Sequence, residues 1–164
     1  MIEVVEIYCD MDQVIVNFLG GAKKALGREF NDPIQFGGED KWPTIGQMPR
    51  FWLDLEWMPG ANLIWNRIKD KNSYILSAIP KFEIVPLCPY QKREWCEREL
   101  GISPYRVLVV SRHEKKNFAT TDGVPNLLID DHGGNVQDWI DAGGVAIHHF
   151  TIPETLQQLT NLGL

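Results

Sequence analysis

Five short runs of apolar, largely β-branched residues recur along the chain: 3–10 (EVVEIYCD), 73–78 (SYILSA), 105–111 (YRVLVVS), 125–131 (PNLLIDD) and 144–150 (GVAIHHF). Their centres are almost unbroken in hydrophobicity, the pattern of strands buried on both faces of a parallel sheet. Between them, apolar positions recur at helical spacing. Ile15, Phe18, Leu19, Ala22 and Leu26 share one stripe, and Ala61, Ile64, Trp65 and Ile68 share another, opened by Pro59-Gly60. A third helical pattern runs from Pro89 to Gly101, with proline at its start and glycine at its stop. A fourth runs from Asn135 to the Gly143-Gly144 pair, and the last offers Thr151 and Glu154 as a capping box around Pro153.

Strands alternating with helices predict an α/β fold, a Rossmann-like, three-layer, doubly wound parallel sheet. One interval breaks the rhythm. Residues 17–72 separate the first two strands and are dense in Gly, Pro and aromatics, as in NDPIQFGGEDKWPTIGQMPRFW. A simple crossover needs far fewer residues. The expected organisation is a core of 1–16 and 73–164, with 17–72 as a small, mostly helical cap over the edge where the first strand emerges. No internal repeat or low-complexity tract interrupts this pattern.

Composition narrows the function classes. The chain has 164 residues, a net charge of −6 and a pI near 5.2. That sign argues against extended nucleic acid, whose phosphates it repels; a small phosphorylated ligand needs only a local cation. No run approaches the roughly 18 apolar residues of a membrane span, and the first ten residues, with acids among the apolar positions, do not read as a secretory leader. Three cysteines without a CxxC pair argue against a disulfide scaffold or structural zinc and predict a reducing, cytoplasmic setting. Cys96 reads as core. A homodimer is left open.

In an open parallel sheet, ligands bind beyond the carboxyl ends of the strands, where strand order reverses. The first strand brings Asp10 and Asp12 to that edge, the second Ser77, the third leads to Lys115 and Lys116, and the fourth ends in Asp130-Asp131. Each residue alone has a plain explanation. Asp12 and Asp131 suit helix caps, Ser77 suits a turn, and lysines are usually solvated. Their joint order is what capping does not explain. Two carboxylates 4 Å apart repel by roughly 4 kcal/mol at an effective dielectric near 20, a large share of a domain's roughly 5–15 kcal/mol stability. Hard oxygen ligands therefore point to Mg²⁺, with one lysine completing the balance.

The ordered set DMDQV (10–14), ILSA (75–78), a lysine in EKKNFA (114–119) and LLIDD (127–131) resembles the four signature motifs of the haloacid dehalogenase (HAD) superfamily of phosphohydrolases. Within it, the sequence is similar to 5′-nucleotidases of the deoxyribonucleotidase type. That group opens with D-M-D-G-V, places an aromatic eight residues after the first acid (here Phe18) and inserts a small helical cap between the first two motifs. The FWLDLEWMPGANLIWNRI stretch (51–68) resembles its cap segment. Gln13 departs from the pattern, standing where the family has glycine.

The resemblance implies a Mg²⁺-dependent phosphomonoesterase for nucleoside 5′-monophosphates, with deoxynucleotides as the expected substrates. Asp10 is then the nucleophile that forms an aspartyl-phosphate, and Asp12 the general acid and base. Mg²⁺ is held by Asp10, the backbone carbonyl of Asp12 and Asp131, with Asp130 in support. Ser77 and Ala78 contact the phosphoryl group, and Lys115 is the active-site lysine by its spacing to Phe118 and Ala119, with Lys116 as the alternative. Phe18 and Trp52 are the candidate base contacts; Phe51 and Trp57 also offer flat faces, and core packing is the competing role, favoured for Trp57 and Trp65. The rival readings are a related phosphatase for another small ester or a polynucleotide end, a receiver-type signalling module and a silent nucleotide-binding protein. Receivers place the phosphoacceptor on the third strand and have no insertion here. His113 and His148 receive no role, and His149 reads as structural.

Overall fold

In the computed structural model, which describes residues 3–31 and 41–164, the strands β1 (Ile7–Cys9), β2 (Ser73–Ala78), β3 (Val107–Val110), β6 (Leu127–Asp130) and β7 (Val145–His148) form one sheet. Every pairing is parallel and the order is β3-β2-β1-β6-β7. The chain builds outward from β1 in one direction, then returns to its other side with β6. The order therefore reverses between β1 and β6. This is the doubly wound sheet that the buried apolar runs predict.

Alternate residues of each strand enter two cores, as the period of two requires. Ile7, Cys9, Ile75, Leu127, Ile129 and Ile147 face a large core shared with the helices α3 (Ala61–Ile68), α4 (Cys88–Leu100) and α6 (Ile152–Asn161). Tyr8, Leu76 and Leu128 face a smaller one, closed by Trp139 of α5 (Gly133–Asp141). Helix α4 stops at Gly101, whose φ of 66° is the left-handed conformation glycine adopts without a Cβ penalty. No described helix is long and apolar enough to cross a membrane.

Two local features differ from the expectation. The first helix, α1, spans Phe18–Leu26 and does not include Ile15. Ile15 lies in a tight turn whose Met11 carbonyl accepts from the amides of Ile15 and Val16 at 2.9 and 3.0 Å. Ile15 is fully buried, so the stripe correctly marks the core but not the element. A short hairpin, β4 (Thr120–Thr121) and β5 (Val124–Pro125), also precedes β6, in a segment to which the sequence pattern assigns no element before Pro125. Asp122 and Gly123, at φ 51° and 81°, make the turn with two positive φ angles that favours Asp-Gly.

Within the inserted interval, α3 packs against α6 and leads directly into β2. It therefore belongs to the helical layer beneath the sheet. The part standing over the strand ends includes α1 and α2 (Trp42–Gly46). A Cβ on Gly46 would lie 2.2 Å from the Ile84 carbonyl oxygen, so α2 sits directly on the loop after β2. Phe36 and its neighbours in the aromatic-rich stretch lie outside the described residues.

Candidate active site

The reversal point places the acids together. Cys9 pairs with Ile129, so Asp10 and Asp130 leave adjacent strands side by side, and the Asp10 amide donates to the Ile129 carbonyl at 2.8 Å. One oxygen each of Asp10, Asp130 and Asp131 lies within 4.8 Å of the others. Neither Asp12 nor Asp131 caps a helix: Asn17 caps α1, and the His132 ring accepts from the Asn135 amide at the start of α5. Asp130 is the anchor of the group. Its Oδ1 accepts from the His132 amide at 2.8 Å, and its Oδ2 accepts from Lys115 Nζ at 2.8 Å and Asn135 Nδ2 at 3.0 Å.

Lys115 enters on a short 3₁₀ helix, Arg112–Phe118, that follows β3. Only 2% of it is exposed, and its Nζ donates to Asp10 Oδ1 at 2.9 Å. Burial pulls its pKa down, but the Asp10 and Asp130 carboxylates outweigh that and raise it, so Lys115 is a fixed cation. Lys116 is exposed. Even so, Asp10 is held well above the usual carboxylate range, first by burial and then by the charge of Asp130, with Lys115 opposing. Burial also raises Asp131. Three carboxylates meet one ammonium, so once ionised they carry an excess of negative charge. An all-oxygen donor set with that excess fits one Mg²⁺.

Asp12 faces a different partner, which the sequence reading did not single out. Its Oδ2 accepts from Lys92 Nζ at 2.9 Å, and Lys92 also donates to Ser77 Oγ at 2.7 Å and to the Ala78 carbonyl at 2.9 Å. Two buried lysines balance this site, where one was expected. The signal was present. Lys92 lies four residues after Cys88 and three and four before Trp95 and Cys96, on the buried face of α4. Met11, between the two acids, points into the core and meets Cys96, as alternation along a strand requires.

Gln13 adopts φ 63°, a left-handed conformation that explains a glycine at this position in the resembling sequences. A non-glycine residue there costs about 1 kcal/mol or more. Its Oε1 accepts from the Leu19 amide at 2.9 Å, which satisfies one free donor of the first turn of α1 and offsets part of the strain.

These groups floor a cavity of about 540 Å³. Asp10, Asp12, Lys115 and Asp131 line it, and so do the aromatic side chains of Phe18, Phe30, Trp42 and Trp52. Phe18 meets Phe30 edge to face at 5.1 Å and Trp42 at 5.8 Å. Phe18, Trp52 and Ala78 all line the cavity. Ser77 is fully buried, engaged by Lys92, and is not part of the lining. Phe51 is not part of the lining either, and Trp57 packs on Trp95 at 5.5 Å. Phe30 and Trp42 are additions that burial in an unfamiliar insertion concealed.

A Vibrio phage KVP40 protein described as a putative 5′(3′)-deoxyribonucleotidase is 32% identical over 130 residues, 79% of this chain and 67% of that protein. The chain belongs to the 5′(3′)-deoxyribonucleotidase family. Mitochondrial 5′(3′)-deoxyribonucleotidases of Mus musculus and Homo sapiens match at 25% and 24% identity, each over 76% of this chain. The chain spans 63% and 61% of these two relatives' own length. A crystal structure of a hydrolase from Streptococcus pneumoniae TIGR4 shares the fold, with a TM-score of 0.52 at 8% identity over 98% of this chain and all of that one. No family model matches the sequence. Deoxyribonucleotidase membership, a HAD-like sheet and a carboxylate-lined cavity make this an enzyme of the phosphatase class.

Proposed function

We propose that this deoxyribonucleotidase relative is a Mg²⁺-dependent phosphomonoesterase that hydrolyses deoxynucleoside 5′-monophosphates through an aspartyl-phosphate on Asp10. The observation that carries the reading is one cavity lined both by a carboxylate cluster and by four aromatic rings. A nucleotide has the matching halves. Its phosphate goes to the charged floor and its base to the rings, where stacking contributes about 1–3 kcal/mol per base. A volume near 540 Å³ lies in the ordinary range for small-molecule sites.

Each carboxylate has a distinct task. Asp10, buried beside Lys115, attacks phosphorus; the Asp10 Oδ–P bond forms as the P–O5′ bond breaks, and Asp12 gives its proton to the leaving oxygen. A water then attacks phosphorus and gives a proton to Asp12 while the Oδ–P bond breaks, which frees inorganic phosphate and restores Asp10. Asp10, Asp131 and the Asp12 backbone carbonyl would hold Mg²⁺, whose charge offsets that of the phosphoryl group. Asp130, with both oxygens engaged, orients Lys115 and Asp131's strand end rather than ligating. Three buried free thiols fit a reducing, cytosolic setting.

Phosphate release over a panel of monoesters tests the substrate class. Deoxynucleoside 5′-monophosphates should lead; sugar phosphates turned over faster than every nucleotide would overturn it. Phe18→Leu removes a flat face but keeps apolar volume. It is expected to raise KM for nucleotides about 5- to 150-fold, from the stacking energy above, and to leave KM for glycerol phosphate within about twofold. Equal effects on both esters would assign Phe18 to packing alone.

A further inference from the structure

We propose that Lys92 is a positioning residue for Asp12, fixing the orientation of the carboxylate that exchanges the proton; this rests on the reading of Asp12 as general acid and base. An ammonium has three N–H donors, and Lys92 has three acceptors within 2.9 Å: Asp12 Oδ2, Ser77 Oγ and the Ala78 carbonyl. None is left for a substrate phosphate. Two of the three acceptors belong to the end of β2, and Lys92 is only 1% exposed, so the ammonium is held by the sheet itself.

The consequence falls on Asp12. Its two oxygens are chemically alike but are not equivalent in the fold. Oδ2 is committed to Lys92, whereas Oδ1 is buried and, among the described residues, has no hydrogen-bond partner. An acceptor left in that condition costs about 1–3 kcal/mol, so packing alone gives no reason to keep it. Asp12 also lines the cavity that holds Asp10. Lys92 thus holds the Asp12 carboxylate in one orientation at the cavity and prevents it from turning away. The neighbouring Gln91 holds α4 to the insertion, accepting from the Trp52 amide at 3.2 Å and donating to the Pro49 carbonyl at 2.7 Å. Lys92 therefore sits on a helix braced from both sides.

The test compares wild type, Lys92→Met, Asp12→Asn and the double variant on dTMP and on p-nitrophenyl phosphate. With dTMP, Lys92→Met should lower kcat about 10²- to 10⁴-fold, the span of acid–base catalysis, with KM within about threefold. The p-nitrophenolate leaving group needs no proton, so its pre-steady-state burst should stay within about tenfold of wild type while steady-state turnover falls. Adding Lys92→Met to Asp12→Asn should cost less than about threefold further, because the residue it positions is already disabled. The double variant removes both charges of the pair, so it remains informative if Lys92→Met alone does not fold. A raised KM with unchanged kcat, an equal loss in the burst and in dTMP turnover, or full multiplication of the two effects overturns the role of Lys92. Wild-type turnover by Asp12→Asn instead removes the acid–base reading on which it rests.

Discussion

Asp10→Asn should reduce Mg²⁺-dependent phosphate release from dTMP by at least about 10⁴-fold, the scale on which removing an enzyme nucleophile is felt. The substitution is nearly isosteric, so the loss is chemical rather than structural. Lys115 keeps its 2.8 Å partner Asp130, and the Asp10 amide keeps its bond to Ile129. Asparagine offers a weak neutral oxygen where the in-line attack needs a charged one. The effect should sit in kcat, since the aromatic wall that binds the base is untouched. Steady-state assays of purified wild type and variant, with circular dichroism to confirm folding, measure it. Activity within tenfold of wild type would place the nucleophile elsewhere.

The second large effect is on stability. Addition of Mg²⁺ at 100 times its dissociation constant should stabilise the protein by about 2.7 kcal/mol, or about 5–10 °C in Tm. The sign at the carboxylates follows from Asp10, whose folded pKa lies above its unfolded value. The folded state then binds more protons than the unfolded one. Metal-free stability should accordingly fall as pH rises from the ordinary carboxylate range of about 4 through the raised value, and remain lower above it. Mg²⁺ should reverse that fall. Asp131→Asn should do two opposite things: raise metal-free Tm by about 2–5 °C at pH 7, by removing one repelling charge, and abolish the response to Mg²⁺. Thermal melts with EDTA and with Mg²⁺ separate the two. A metal-free Tm lowered by Asp131→Asn, or an unchanged Mg²⁺ response, would remove Asp131 from the cation site.

What could be read from the chain alone depended on how local each signal was. The sheet was legible because its strands are buried on both faces, so their apolar centres needed no knowledge of partners. The strand-end acids were legible because a parallel sheet delivers successive strand ends to one edge, and Cys9 opposite Ile129 brings Asp10 beside Asp130. Ile15 misled because burial in a turn and burial in a helix give the same apolar letter. The Asp122-Gly123 hairpin is marked only by its dipeptide, since its two-residue strands are too short to show an alternating pattern. Lys92 was harder to see. A lysine on a helix is normally solvated, and its position on the buried face of α4 acquires meaning only when that helix is laid against the end of β2. Phe30 and Trp42 were obscured for a similar reason: nothing local says which aromatics of an insertion turn toward the cavity.

The most direct test asks which carboxylate carries the phosphoryl group. Enzyme turning over dTMP with Mg²⁺ can be quenched in acid, reduced with borohydride and mapped by peptide mass spectrometry, since reduction converts an aspartyl-phosphate to homoserine. Homoserine at position 10, dependent on both Mg²⁺ and substrate, is the expected result. Homoserine at position 12, or none at all while dTMP is being hydrolysed, would contradict it.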